Sequence, residues 1–506
     1  MTKKLSMRTV PIDTLTDMKK LIAGLLAVLL GFICVCGVSL TPDSEPAEPA
    51  RETAAKDPVE AVEAPAAVPE VRNEEAVPEA AEILDAEEPE SPEVTEVAEA
   101  LETEEPEPAE VAEAQEAEEP EPVEIVEVPE AEEPELPEAE QVELVIKVGR
   151  GDYSYTFSDD YLNTYQHIYE GTDVTLRSAD GTEFSQLYFV WYYRIGDYAA
   201  ELVYPDGETV SIPGNMLHQV IHLDRPASEL TLRLREGAGR ATLSGLTGYT
   251  VGKLPSDVQD WQLLGDGEAD LMLFPTHADD EYVFFGGILP IYAGELGYKV
   301  QVCWTCCHDN SYGRNHELLN ALWHSGCVYY PQINYEAIDY YCGDYSAALY
   351  TYSYEEFEAY EVEMIRKYKP YVVVTHDESG EYGHGAHILT SYTVEDACAD
   401  AAYTNNFPES EEKYGVWQVQ KLYVHLNYKN KLTLDYDTPL EHFDGKTAYE
   451  VAMECFALHA SQYYSGFTVY MGNSEYDSRV FGLYRTSVGR DTEHNDLFEN
   501  VNFCHG

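Results

Sequence analysis

Positive charge is scarce in this sequence. Only 30 Lys and Arg stand against 94 Asp and Glu in 506 residues, a formal net charge of -64 at pH 7. So acidic a chain is repelled by nucleic acid and by anionic lipid, and neither is an expected partner. The deficit is concentrated, because Thr41 to Glu143 holds about 38 acidic residues against 3 basic ones, and the rest is only moderately acidic. That stretch also has no aromatic residue and is built almost wholly from Glu, Pro, Ala and Val. It cannot bury enough surface to offset its ordering entropy, so 41–143 is expected to be a disordered, extended spacer. Phenylalanine is thin, 15 residues against 40 tyrosines. Tyrosine joins a flat apolar face to a hydroxyl, which suits sugar-lined clefts, although ordinary half-buried strand positions explain most of them. There are ten cysteines, eight of them between Cys303 and Cys504. Disulfides are compatible with that number, but no pairing can be deduced. Cys303, Cys306 and Cys307 lack a second cysteine pair at zinc-knuckle spacing, and they read as small buried strand residues.

What is present falls into four segments. Lys19-Lys20 precede Leu21 to Leu40, an uncharged, mostly apolar run that fits both a signal peptide and a membrane anchor, and 1–40 is assigned to one or the other. Met18 directly before the lysines suggests a start site there, and Gly37-Val38-Ser39 is an acceptable cleavage site; Cys34 and Cys36 lack a good lipobox. The positive flank keeps the N-terminus in the cytoplasm. The protein is therefore expected outside the cell or on its surface, touching membrane only through this segment. From 144 to 254 short β-rich runs alternate with turn signals: Tyr153 to Phe157, Val174 to Arg177, Leu187 to Tyr193, Ala199 to Tyr204 and Leu230 to Leu234, with Asp180-Gly181 and Asp206-Gly207 as hairpin-type turns. A β-sandwich is expected there. From 255 to 506 strands alternate with helices, the pattern of a mostly parallel α/β sheet. The strands expected are Leu271 to Phe274, Val300 to Thr305, Tyr371 to Thr375 and Lys421 to Leu426; the helices, Tyr282 to Gly294, His316 to His324, Tyr354 to Tyr368 and Gly385 to Asp400.

Two stretches carry chemistry. The apolar run from Leu271 stops at His277-Ala278-Asp279-Asp280-Glu281, just past a strand's carboxyl end, where open α/β sheets bind ligands. The second, from Thr375-His376-Asp377 to Tyr382-Gly383-His384-Gly385-Ala386-His387, leads into a helix, where residues three apart face the same way. With His277 and Asp280 also three apart, the chain offers two imidazoles and a carboxylate with a position left open for water, the donor set of a catalytic zinc.

These motifs resemble the PIG-L/LmbE-like zinc-dependent N-acetylglucosaminyl deacetylases. Arg314-x-x-Glu317-x-x-x-Ala321, His459-Ala460-Ser461-Gln462 and Phe481-Gly482-Leu483 resemble further blocks of that family, and the resemblance covers about 255–500. It implies a Rossmann-like domain with His277, Asp280 and His387 as zinc ligands, Asp279 as general base, His384 as the acid that protonates the leaving amine, Tyr382 as a donor to the oxyanion, and an N-acetylated carbohydrate or glycoconjugate as substrate. Ala278 stands where the family usually has proline, which is expected to loosen the loop. Leu187 to Tyr193 with Leu254 to Trp261 loosely resembles the galactose-binding-like sandwiches that precede many secreted carbohydrate-active enzymes, which implies either a carbohydrate-binding module whose exposed aromatics grip glycan or a module that only packs against the enzyme. Several residues keep a plainer reading. Arg314 binds a substrate hydroxyl or phosphate, or pairs with a cleft carboxylate such as Glu317. His384 is the acid or only orients His387. Glu281 is a helix N-terminal carboxylate, and Asp377 holds a histidine tautomer or caps a turn. Rival readings for the whole chain are a catalytically inactive carbohydrate-binding surface protein and a zinc hydrolase of another amide or an ester.

Overall fold

The computed structural model describes residues 136–504 except 160, 464 and 473. The expected signal or anchor over 1–40, and 41–135 of the expected spacer, lie outside the described residues. Among the described residues no helix is long and apolar enough to cross a membrane.

From Gln141 to Tyr249 the two-residue alternation of the sequence folds into two antiparallel sheets. One contains β1 (Gln141–Val142), β4 (Gln166–Tyr169), β6 (Phe184–Trp191), β9 (His218–Ala227) and β11 (Arg240–Tyr249); the other contains β2 (Leu144–Val148), β3 (Gly151–Asp152), β5 (Val174–Ser178), β7 (Ala200–Val203), β8 (Thr209–Ile212) and β10 (Glu229–Leu234). In β6, Leu187, Phe189 and Trp191 point into the core while Tyr188 and Val190 point the other way. Each fully buried side chain of that size contributes roughly 1.5–3 kcal/mol. The expected strand at Tyr153 to Phe157 is instead a series of turns. Ser154 hydrogen-bonds to Asp152 at 2.7 Å and accepts the Ile146 N–H at 2.9 Å, a local alternative to a strand ladder.

The second half builds one seven-stranded sheet in the order β14 (Gln332–Ile333), β13 (Val300–Trp304), β12 (Leu271–Phe274), β15 (Val372–Thr375), β16 (Lys421–His425), β18 (Val480–Thr486), β17 (Lys431–Thr433). It is parallel as far as β16, and β18 runs antiparallel to both neighbours. Every residue of β12, β13, β15 and β16 is buried, as a sheet covered on both faces requires. Helices Tyr312–His324, Tyr354–Tyr368, Gly385–Asp400 and Ala448–Leu458 surround it. Because β13 and β15 flank β12 on opposite sides, the loops beyond β12 and β15 diverge and leave a crevice. The expected helix from Tyr282 to Gly294 is broken into Asp280–Val283 and a wider-wound turn at Pro290–Glu295. Gly286 and Gly287 lie between them, at places where a Cβ would run into Ser478 and Ala448.

The sandwich is bonded to the α/β part by buried polar contacts. His218 Nε2 lies 2.8 Å from His316 Nδ1, Gln259 donates to Asn320 Oδ1 at 2.7 Å, and the Leu217 N–H donates to the Tyr330 hydroxyl at 3.0 Å. Arg194 lies over the Tyr335 ring, 3.1 Å from its centroid, and 3.5 Å from Asp309. The eight cysteines among the described residues are free thiols, all buried except Cys504.

Candidate active site

The loop after β12 is drawn into a tight curl by its own polar groups. The His277 N–H donates to Asp280 Oδ2 at 2.7 Å, and Asp279 takes φ 128°, a left-sided conformation that a non-glycine residue adopts only under constraint. Two bonds hold Asp279 there: its N–H donates to Glu281 Oε2 at 2.9 Å, and Glu281 Oε1 lies 2.7 Å from His459 Nε2. Glu281 thus sits in the first turn of Asp280–Val283 as expected and also anchors the buried His459. The Ala278 N–H donates to His308 Nε2 at 2.8 Å. Proline has no such N–H, so alanine ties this loop down where the sequence suggested loosening.

The loop after β15 supplies the other side. His384 precedes the helix Gly385–Asp400 and His387 lies in its first turn. A Cβ at Gly385 would overlap the Asp344 carbonyl, so glycine lets the helix start against that segment. His277 Nδ1 is then 3.0 Å from His387 Nε2 and 3.1 Å from Asp280 Oδ2, and the latter two are 3.3 Å apart. Donors bound at about 2.0–2.1 Å with tetrahedral angles are separated by about 3.3 Å, so the three atoms fit one small divalent cation. His387 Nδ1 faces Glu381 Oε2 at 2.8 Å, which leaves its Nε2 lone pair for the cation. Other clusters that include His376 or His384 also have metal-like spacing. His376 is already engaged on both nitrogens, accepting the Thr276 N–H at Nε2 (3.0 Å) and facing Glu381 at Nδ1 (3.1 Å). His384 Nδ1 is buried without a hydrogen-bond partner, and the ring packs against His277 with centroids 4.8 Å apart.

The charges follow from these contacts. Burial alone would raise the Asp280 carboxyl, but His387 and His277 hold it well below the usual range. Burial and the neighbouring Asp280 push Asp279 up to about 7, against the pull of Arg314. Burial, with His277 and His387 beside it, brings His384 down to about 3 and keeps it neutral. Arg314 donates to the Ala278 carbonyl at 2.6 Å and stands 3.5 Å from both Asp279 and Asp339. It does not pair with Glu317, which accepts from the Ser461 N–H and hydroxyl. Tyr382 is 40% exposed at the cleft wall. All seven residues predicted from the sequence to form the site meet here: six line a cleft of about 230 Å³, with Val283, Phe284, Asp339, Tyr341, Gln462 and Phe467 completing it, and His387 lies behind it against His277.

Three features were not legible in the sequence. Glu381 accepts from His376, His387 and His425 at 2.8–3.1 Å and from the Asp377 N–H, so the carboxylate that fixes the His387 tautomer is Glu381 and not Asp377. Asp339 stands 3.5 Å from His277 Nε2 and 3.3 Å from His308 Nδ1. His425 closes the cluster from the end of β16. Only Glu381 carried a signal, its place inside the second motif.

No protein-family model matches the chain. Over 62 residues it is 44% identical to a 1D-myo-inositol 2-acetamido-2-deoxy-alpha-D-glucopyranoside deacetylase of Rhodococcus jostii, a stretch covering 12% of this chain and 20% of that protein. Over 73 residues it is 38% identical to a mycothiol S-conjugate amidase of Streptomyces coelicolor, covering 14% and 24%. The chain therefore spans a fifth to a quarter of the length of these curated relatives. Among solved structures, an N,N'-diacetylchitobiose deacetylase from Pyrococcus horikoshii aligns at 17% identity and a TM-score of 0.30, over 39% of this chain and 71% of that one. Over those short stretches the chain is similar to curated deacetylases and an amidase of the LmbE/PIG-L kind.

Proposed function

We propose that this protein is an exported, zinc-dependent hydrolase that removes acetyl groups from an N-acetylated sugar or glycoconjugate, with a galactose-binding-like sandwich in front of the catalytic domain. The observation that carries this reading is the convergence of His277, Asp280 and His387 on one point, with the strained Asp279 held beside them. A divalent cation on those three residues supplies Lewis-acid polarisation of the amide carbonyl and acidifies water. Asp279 takes the proton of the attacking water as its oxygen bonds to the carbonyl carbon; a carboxylate tuned near neutrality suits that work. Tyr382 donates its hydroxyl to the developing oxyanion. His384, protonated only transiently, relays to the departing nitrogen the proton that Asp279 took from water as the C–N bond breaks, releasing acetate and a free amine. Arg314, 3.5 Å from Asp279, offsets part of the repulsion from Asp280 and offers its remaining N–H groups to a substrate hydroxyl or phosphate. The uncharged run Leu21 to Leu40 behind Lys19-Lys20 supports export and a surface location.

The amidase among the relatives favours a second reading, in which the same residues cleave an amide other than acetamide. Acetate release from a panel of N-acetylated sugars, by the full chain and by Asp279→Asn in parallel, tests the first. No release above the variant across the panel, with metal bound, would overturn it.

A further inference from the structure

We propose that the groove between the sandwich and the helix Tyr312–His324 binds the sugar residues that follow the reacting one in an oligosaccharide substrate. The proposal rests on the deacetylase reading for where the substrate reacts, and adds that the substrate is a chain of neutral or amine-bearing sugars. The groove, about 510 Å³, has a floor made by the outward face of the sandwich, with Tyr188 and Val190 from β6 and Thr247 and Tyr249 from β11. Its far wall is the helix, through Gly313, His316, Glu317 and Asn320, continued by Leu458 and Ala460.

That wall is shared with the catalytic cleft. Arg314 lines the cleft and its neighbour Gly313 the groove; Gln462 lines the cleft and Ala460 the groove. Between them Ser461 donates its N–H and hydroxyl to Glu317 at 3.0 and 2.6 Å, closing helix and turn into one ridge. A ligand seated in the cleft and longer than one sugar passes over this ridge into the groove. The groove is a fixed surface, because His218 to His316 and Gln259 to Asn320 bond its two sides across the junction.

The lining says what fits. A sugar ring presents a flat C–H face to an aromatic ring and a rim of hydroxyls to polar side chains. Here the apolar floor is met by Asn163, Asp257, Glu317 and Asn320, and Tyr161, 70% exposed, stands at the edge. Among the described residues no Lys or Arg lines the groove. Phosphorylated or uronic chains find no counter-charge there, whereas Asp257 and Glu317 accept hydroxyls or the amines that deacetylation leaves.

The test compares N-acetylglucosamine with its linear tetramer, using the full chain. Wild type is expected to favour the tetramer in kcat/KM by about tenfold or more, the size of one or two stacked rings. Tyr161→Ala and the groove-filling Thr247→Trp should each bring the ratio close to one, with the single sugar turned over as before and the melting temperature unchanged. A wild-type ratio near one, or a ratio that survives in both folded variants, overturns the proposal. Were neither sugar hydrolysed, the deacetylase reading would fall by itself. Calorimetric titration with the tetramer would then decide for the groove: binding abolished by Thr247→Trp supports it, and no binding to wild type, or binding that Thr247→Trp leaves intact, refutes it.

Discussion

Replacing Glu381 by glutamine changes one atom and should weaken the proposed metal site without touching any of the three residues assigned to hold the ion. The Glu381 side chain is fully buried, and its two oxygens take the Nδ1 positions of His376 (3.1 Å), His387 (2.8 Å) and His425 (3.0 Å) and the Asp377 N–H (3.1 Å). A carboxylate has about four acceptor sites, all used here. Burial alone would raise its pKa, but His376 and the hydrogen bonds of the three histidines hold it well below the usual range. Glutamine keeps one acceptor oxygen and turns the other into a donor, which must face an imidazole N–H. His376 cannot change tautomer, because its Nε2 accepts the Thr276 N–H; His425, whose Nε2 donates to the Asp477 carbonyl, can accept the amide at Nδ1, but only with the amide in the Oε1 position, where it turns a donor toward the Asp377 N–H. If His387 changes instead, its Nε2 gains a proton and stops being a ligand. Breaking a buried pair of this kind costs about 3–5 kcal/mol. Losing the group that orients a metal-bound histidine costs about 10–100-fold in metal affinity. Chelator competition for zinc added to the protein and denaturant unfolding would measure both, with Asp377→Asn as control, since its carboxylate accepts none of the three imidazoles. If Glu381→Gln bound metal and unfolded like wild type, the positioning role would be refuted.

Asp279→Asn should retain the metal and lose roughly a hundred- to ten-thousandfold in turnover, the range for a removed general base; steady-state kinetics with metal analysis checks it. His218 and His316 are held neutral by burial, brought down to about 4 and about 3, so the unfolded chain binds more protons than the folded one below about pH 6.5. Their stability contribution is complete above pH 6.5 and is lost as pH falls, by up to about 1.4 kcal/mol per unit for each; His316→Gln should flatten the melting-temperature profile between pH 6.5 and 4.5, and an unchanged slope would count against the reading. Removing 41–135 should leave the melting temperature unmoved, whereas a deletion through 143 removes β1, which pairs Gln141 with Tyr249 and Val142 with Gly248, and should lower it in a thermal scan.

Much of the framework was legible because its signals are local. Apolar runs of four or five residues marked β12, β13, β15 and β16, and Tyr354–Tyr368 announces itself by Ser353 at its N-cap, Glu355 and Glu356 in its first turn, and Arg366 and Lys367 in its last. The proposed donors His277, Asp280 and His387 could be picked out for the same reason, as members of two pairs three residues apart in the loops that follow two strands. What was not legible depends on the closing of the chain. Glu381 acquires its role only because φ 55° turns its side chain back under three histidines from three separate elements. His218 and His316, 98 positions apart, gave no sign of the bond that joins the sandwich to the α/β part. The helix expected after the first motif fails at two glycines that periodicity does not weigh against Ser478 and Ala448.

Ala278 shows how a departure from a family pattern is to be read in physical terms. A proline there would fix φ and stiffen the loop at no cost in hydrogen bonding, since a missing N–H needs no partner. Alanine brings a buried N–H that must be satisfied, and His308, at the end of the neighbouring strand, accepts it at 2.8 Å. That bond sets the His308 tautomer: Nε2 accepts, so Nδ1 carries the proton and faces Asp339, 3.3 Å away. Asp339 in turn stands beside His277 and Arg314. The rigidity that a ring in the backbone would supply is therefore supplied here by a chain of side chains reaching His277. Residue 278 and residue 308 form one unit, and neither can be judged tolerable or harmful without the other.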